Sequence, residues 1–361
     1  MSPTASRERW CRDKAAMVNI FLSSFVWSQP RPGSGIRHHV LDLYSRVFSN
    51  EGYVVYPTRP VSFDILGALW HLTKFKSGTF NVVTQGYPVI AAFLALLLGM
   101  RVRLIVHTWK VPGHTDDRLT ARLYDLALDR LIRSADLVVV ASEQQRRQLS
   151  EKYPKIRICF APVTVDCEYW SPDRDAEGDP AVLSNFGLKR ERYVLTVGGN
   201  DRDERFGILL ARELGLKYVR ATNDRQLVGQ VAAIRDELGA ADVAKVLLNV
   251  SDGELRVLYR NAYIVCLPTF TRTNPAGLSA LVEAMACGAV VAVPASIAEG
   301  YIEDAINGFV LSEHPKDFSY RLTGLQSQFS SVRRRARQTA VKELAQETIA
   351  EHVRGQLGTP I

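Results

Sequence analysis

The chain has 361 residues, of which 47% are hydrophobic and 23% charged, with a net charge of +7. That is an ordinary soluble globular composition, too long for a single core and long enough for two domains. The longest apolar run, residues 88–100, is well short of the roughly 18 to 20 residues a membrane-spanning helix needs, so it reads as a buried core helix.

The five cysteines (Cys11, Cys159, Cys167, Cys266, Cys287) show neither CxxC nor Cys/His metal spacing. A reducing, cytoplasmic setting without zinc is expected. Charge is lopsided: residues through Trp170 hold 22 Lys and Arg against 14 Asp and Glu, and the remainder hold 23 against 24. A basic half speaks to partners rather than to fold. An anionic acceptor, an anionic membrane surface and nucleic acid all suit it, but aromatic platforms and recognised nucleic-acid motifs are missing, so no nucleic-acid partner is expected.

In chain order, residues 1–17 carry charges but no apolar segment, and read as a loose tail without a secretory signal. The first domain, 18–170, opens on the strand "VNIFLSSF" and continues through "GYVVYP", "FNVVTQ", "RVRLIVHTW", "ADLVVVAS" and "IRICFAPV". After the first of these strands "PRPGSGIRHHV" places Gly33 and Gly35 before a helix. Such glycines let a phosphate approach a helix N-terminus, and they equally build a plain turn. The pattern is neither a Walker A loop nor GxGxxG. The helix "DRLTARLYDLALDRLIRS" sets leucines beside arginines, which suits a core-facing helix with a basic outer side or one that rests on an anionic membrane.

Residues 171–184 are polar and carry Pro172 and Pro180, and read as the linker. The second domain, 185–335, repeats the alternation with "RYVLTVGG", "LKYVRAT", "AKVLLNV", "AYIVCLPTF", "GAVVAVP" and "GFVLSE". Near-continuous apolar strands between helices predict two doubly wound α/β domains with parallel sheets. "SEQQ" at 142–145 and "SDGE" at 251–254 have the capping-box pattern. Residues 336–361 read as a C-terminal helix that packs back on the first domain.

Two stretches of the second domain can carry chemistry. "VGGNDRDERFG" follows its first strand: Gly198 and Gly199 allow a tight turn, and Arg202 and Arg205, three apart, can share one side of a helical turn. Two arginines there suit a diphosphate, and the competing reading is a solvated loop in which Asp201, Asp203 and Glu204 neutralise them. In "NPAGLSALVEAMACGAVVAVP", Leu278, Leu281, Val282 and Met285 form one buried helical face, leaving Ser279 and Glu283 to look outward together. Asn274 and Pro275 suit an N-cap and first helical residue. A lone outward glutamate is by itself an ordinary surface residue.

The order of these stretches resembles the retaining glycosyltransferases of the GT-B fold, specifically the family 4-like group. "LVEAMACGAVVAVP" followed by "GYIEDAINGFVL" is similar to that family's EAMACG and E...G.NG signatures, and "VDCEYWSP" to the close of its first domain. The resemblance implies two Rossmann-like domains facing across a cleft. It implies transfer of a sugar, hexosyl in type, from a nucleoside-diphosphate sugar to a hydroxyl, with retention and without a metal. A UDP-sugar is the expected donor; it is a co-substrate, and no cofactor is expected.

The residues carried over are Glu283 for the ribose hydroxyls, Arg202 and Arg205, or one of them, for the diphosphate, and Gly35 approaching it from the other domain. His107 falls beside the donor sugar, and Gly33, Gly198 and Gly199 line the donor's phosphates. The family usually has a second glutamate eight residues before the first; Pro275 stands there. Asn274 or the backbone N–H groups of Ala276, Gly277 and Leu278, beside Ser279, therefore take over its contact. The acceptor is a small molecule or glycan, with anionic and lipid-linked forms both open, and peripheral contact at the inner membrane face is the companion expectation. The alternative is a non-catalytic GT-B scaffold that binds a sugar nucleotide or a protein partner.

Overall fold

The computed structural model describes residues 19–23, 43–44, 46–48, 53–57, 80–83, 87–101, 103–108, 111–112, 119–199, 201–270 and 276–358. The first sheet is built from β1 (Asn19–Ser23), β2 (Tyr53–Pro57), β3 (Phe80–Val83), β4 (Arg103–Thr108), β5 (Leu137–Val140) and β6 (Ile158–Phe160), in the order β2-β1-β3-β4-β5-β6. All of its pairings are parallel. Helices α1 (Tyr87–Leu97), α2 (Leu119–Ser134) and α3 (Glu143–Lys152) connect its later strands. Every residue of β5 is buried, as covering on both faces requires.

The second sheet contains β7 (Tyr193–Val197), β8 (Lys217–Thr222), β9 (Ala244–Leu248), β10 (Ile264–Cys266), β11 (Val291–Val293) and β12 (Phe309–Val310). Its order is β12-β11-β10-β7-β8-β9, again parallel throughout. This is the doubly wound dinucleotide-fold order, whose winding reverses between the first and fourth strands, here β7 and β10. In sheets of this order the ligand crevice lies at the carboxyl ends of those two strands. The twelve strands read from the apolar runs are all present, and the α/β class with two parallel sheets stands.

The segment read as a linker is ordered. A 3₁₀ turn (Ala176–Gly178) runs into α4 (Asp179–Asn185). It is strapped to α7 (Asp252–Asn261), which follows α5 (Glu204–Glu213) and α6 (Gln226–Glu237). Arg260 Nε donates to Asp179 Oδ2 at 2.6 Å and its Nη1 to the Arg174 carbonyl at 2.6 Å, while Arg256 Nη2 reaches Asp175 Oδ2 at 2.6 Å. Ser251 makes the full capping box with Glu254 at the start of α7, whereas Ser142 makes no side-chain cap at α3.

Helices α8 (Leu278–Ala286), α9 (Ala295–Ala298), α10 (Pro315–Gly324), α11 (Phe329–Glu343) and α12 (Gln346–Gly358) complete the chain. α11 lies along α8, and Arg337 Nη1 donates to the Ala286 carbonyl at the C-terminal end of that helix, 2.8 Å away. α12 reaches the first domain: Arg46 Nη2 donates to Gln346 Oε1 at 3.0 Å, and Arg354 Nη2 to the Arg46 carbonyl at 3.1 Å. Tyr301 also joins the domains, its hydroxyl donating to the Ala141 carbonyl at 2.7 Å and accepting from Val163 N at 2.9 Å. One apolar core runs from Tyr44 through Trp170 to Val353. Among the described residues no helix is long and apolar enough to cross a membrane.

Candidate functional site

The crevice between β7 and β10 gathers most of the second-domain residues singled out by sequence. β7 ends at Val197 and the chain turns through Gly198, at φ 117°, and Gly199. Asp203 then caps α5, its carboxylate accepting from Phe206 N at 2.9 Å. That cap separates the two arginines. Arg202 stands before the helix and folds back, with Nε donating to the Val197 carbonyl and Nη1 to the Asp201 carbonyl, both at 3.2 Å. Arg205 lies on the outer side of the first turn and pairs with Glu237 at 2.5 Å, its side chain 47% exposed. The shared helical side expected for the pair is therefore corrected: only Arg202 enters the crevice.

Arg202 is buried against two glycines at once. A Cβ at Gly198 would lie 2.9 Å from its Nη2, and one at Gly277 would also lie 2.9 Å away. Gly277, at φ 99°, is the residue before α8. Both positions need glycine for backbone angle, and a Cβ at either would push the Arg202 guanidinium aside. Burial, and next the nearby Arg220 charge, lower the Arg202 pKa to about 10, which leaves it cationic at neutral pH. A buried cation, a tight turn and a helix N-terminus bearing Leu278 and half-buried Ser279 converge here, with Ala276 just ahead. Anions favour such a place for the dipole, the free N–H groups and the charge together.

Arg220, which sequence reading passed over, is fully buried in β8, opposite Thr196 in the register. Its guanidinium donates to Glu204 Oε1 at 2.7 Å, to the Gly198 carbonyl at 3.0 Å and to the Gly199 carbonyl at 2.6 Å. Tyr218 completes the set by donating to Glu204. The turn beside Arg202 is thereby held from below by a buried ion pair. An arginine at the centre of an apolar strand is the sequence signal that could have found it.

Glu283 does not look outward. It is buried, and Oε2 accepts from the Tyr259 hydroxyl of α7 at 3.2 Å. Burial, and then the Glu283 charge, push the Tyr259 pKa well above the usual phenol, while Arg202 is near enough to oppose that shift. The single buried face expected of α8 is corrected too: every residue from Ala280 to Ala286 is buried, with α11 packed along the helix and Tyr259 of α7 against Glu283.

His107, near the end of β4 in the first domain, is 3% exposed and shares a 3.2 Å hydrogen bond between Nδ1 and the Tyr44 hydroxyl. Burial lowers its pKa to about 3, so the ring is neutral at physiological pH. Gly33, Gly35 and Asn274, the 1–17 tail and Pro275 lie outside the described residues. Among the described residues no group of three or more His, Cys, Asp or Glu is gathered as a metal ion would require.

Residues 8–164 match the model of the glycosyl transferase 4-like domain, and residues 227–342 that of the glycosyl transferases group 1. The two matches fall one on each sheet. This chain belongs to the GT4-like glycosyltransferases of the GT-B fold. A D-inositol 3-phosphate glycosyltransferase of Nocardiopsis dassonvillei is 27% identical over 216 residues, covering 54% of this chain and 48% of that protein. The chain thus matches about half the length of that relative. The crystal structure of Anabaena HepE in complex with UDP-glucose superposes with a TM-score of 0.74 at 14% identity, covering 94% of this chain and 99% of that one. Sucrose-phosphate synthase of Thermosynechococcus elongatus gives 0.71 at 16% identity, over 94% and 98%. At these identities the structural likeness speaks for the fold.

Proposed function

We propose that the protein transfers a sugar from a nucleoside-diphosphate sugar, a UDP-sugar, to a hydroxyl acceptor, with retention of configuration and without a metal ion. The observation that carries this reading is the buried Arg202 guanidinium set against Gly198 and Gly277 at the mouth of the β7–β10 crevice, beside the N-terminus of α8. That place suits a diphosphate whose charge grows as the glycosidic bond breaks. Arg202 and the α8 N–H groups are fixed before reaction, so they stabilise the leaving diphosphate without reorganising.

In this reading Glu283, steadied by Tyr259, accepts from the ribose hydroxyls, and the backbone of Ala276 to Leu278 with Ser279 meets the donor. The acceptor hydroxyl attacks on the face from which the diphosphate leaves, and the leaving phosphate takes its proton. No protein nucleophile is required; rate comes from positioning and from charge stabilisation. Neutral His107 offers hydrogen bonding beside the donor sugar. The acceptor is a small molecule or glycan held by the basic first domain. A UDP donor is further supported by HepE, solved in complex with UDP-glucose.

The test uses UDP-glucose as the first probe. Native mass spectrometry should detect a one-to-one complex, and transfer to an acceptor panel should give a product whose anomeric proton keeps the donor configuration and whose yield survives EDTA. Inverted product overturns retention, and loss of turnover in EDTA overturns metal independence. Binding with neither hydrolysis nor transfer across a broad donor and acceptor panel supports the scaffold alternative.

A further inference from the structure

His107 stands one residue before the end of β4, at the carboxyl edge of the first sheet, where open α/β sheets receive ligands. The parallel register pairs it with Val139 of β5, and Val139 with Cys159 of β6. Residues paired in this way point to one face, so the three form a row across the sheet. Val139 offers only methyl groups to its neighbours. At the other end of the row the Cys159 sulfur meets His352 Nε2 of α12 at 3.5 Å.

Tyr44 lies on the same face, fully buried, in the core that holds Val139 and Cys159. Its hydroxyl is 3.2 Å from His107 Nδ1, and the two rings meet edge to face, with centroids 5.8 Å apart and planes at 77°. The phenol is itself held in place. Phe48 stacks on its ring at 6.2 Å, and Arg46, two residues along, is tied to α12 by Gln346 and Glu347. A side chain clamped in this way has already lost its rotamer freedom, so the bond to His107 costs no further ordering. Burial, and next the Cys159 thiol, raise the Tyr44 pKa well above the usual phenol, so the hydroxyl keeps its proton. His107 is neutral, and a neutral imidazole has one lone-pair nitrogen and one N–H. The phenol is the stronger acid and the ring nitrogen the stronger base, so the bond runs from the hydroxyl to Nδ1.

We propose that Tyr44 is the positioning residue of His107: its hydroxyl donates to Nδ1, fixes the ring and leaves the proton on Nε2, on the side away from the phenol. Packing alone would be served by phenylalanine against an apolar residue, without the cost of desolvating two polar groups. The reaction gives the pair a use. On the reading that His107 stands beside the donor sugar, an Nε2–H of fixed direction is a donor already aimed when the sugar arrives. The consequence for turnover rests on that reading, and the tautomer on the fold alone.

Nitrogen NMR of the full chain, isotope-labelled at histidine, tests the tautomer without turnover, with His107→Gln identifying the signals. Wild type should show an unprotonated Nδ1 and a protonated Nε2. Tyr44→Phe, which keeps the ring and removes the donor, should shift the Nδ1 signal and mix the two tautomers. Val139→Ala, which loosens the packing of the same row, should lower the melting temperature and leave the nitrogen pattern as it is. In transfer from UDP-glucose, Tyr44→Phe should lower kcat about ten-fold, the scale of one hydrogen bond, with UDP affinity unchanged. A protonated Nδ1 in the wild type overturns the proposal, whether or not the variant folds. So does a Tyr44→Phe protein with the wild-type nitrogen pattern or the wild-type kcat. A wild type that transfers to no acceptor retires the reaction instead, and the nitrogen pattern then decides for Tyr44.

Discussion

Arg202 and Arg205 are three positions apart in sequence and face different surroundings. Arg202 contacts backbone carbonyls inside the crevice, while Arg205 holds Glu237 in solvent. Arg202→Ala should therefore weaken UDP binding by about 1.5–3 kcal/mol, the scale of a charged hydrogen bond, and lower transfer further. Arg205→Ala should stay within about 0.5 kcal/mol in both stability and affinity. Equal losses in calorimetry of the two variants would reject the assignment. Glu283→Gln keeps an acceptor for the Tyr259 hydroxyl, so the fold should hold while UDP affinity drops by about 1.5–3 kcal/mol. Unchanged affinity removes Glu283 from the site. His107 makes a prediction in pH. Its folded pKa near 3 lies below the ordinary value of 6.5, so between these the unfolded chain binds the extra proton. Its contribution to stability is complete above pH 6.5 and is lost as pH falls toward 3, with a slope approaching about 1.4 kcal/mol per pH unit. Denaturation of His107→Gln against pH should show a flatter profile in that window than wild type; parallel profiles would place the acid sensitivity elsewhere.

Elements set these residues by what they pack against. β8 carries Arg220 beneath the Gly198–Gly199 turn, and α5 brings Glu204 to neutralise it. A buried pair of this kind gives little net stability relative to apolar residues, but removal of one partner strands the other charge. Arg220→Met should cost about 3–5 kcal/mol in chemical denaturation and loosen the turn that holds Arg202. The double variant with Glu204→Leu should recover a large part of that cost, and a double-mutant cycle without coupling would refute the pairing as the reason for Arg220. α8 shows the same dependence on neighbours. Its sequence has an apolar stripe, yet α7 supplies Tyr259 to one side and α11 covers another, so Glu283 is drawn into the interior.

At the scale of the molecule the two halves share a core and are joined at several polar points. The Tyr301 hydroxyl bonds at once to the backbone of β5's continuation at Ala141 and to Val163, and its ring packs edge-on against Phe160 at 5.9 Å. Arg147 pairs with Glu299 nearby, and the Val165 N–H donates to the Leu344 carbonyl at 3.0 Å where the chain crosses back. Tyr301→Phe leaves the Val163 N–H and the Ala141 carbonyl without this partner, at a cost of about 1–3 kcal/mol. The expected result in scanning calorimetry is a lower first transition that separates from, or broadens against, the second. An unchanged single transition would show that this hydroxyl does not couple the domains.

The sequence by itself determined the class of fold. The run "LVVV" is apolar at every position and "YVLTV" at all but Thr196, and only a strand covered on both faces has use for that, so twelve mainly apolar runs between helices leave a pair of parallel sheets. It also singled out Gly198, Arg202 and Glu283, because a glycine turn after a strand and a carboxylate in an apolar helix stand out locally. What only the tertiary structure decided is which way each side chain faces. The Asp203 cap turned Arg202 inward and Arg205 outward, Tyr259 and α11 buried Glu283, and the sheet register brought Arg220 under a turn more than twenty residues earlier in the chain. On α2 the core took Leu128, Leu131 and Ile132 and left Leu119, Leu123 and Leu126 in solvent. Periodicity fixes the spacing of a helical face, but the choice among faces is made by elements distant in sequence, through the burial and hydrogen bonds that only the packed molecule provides.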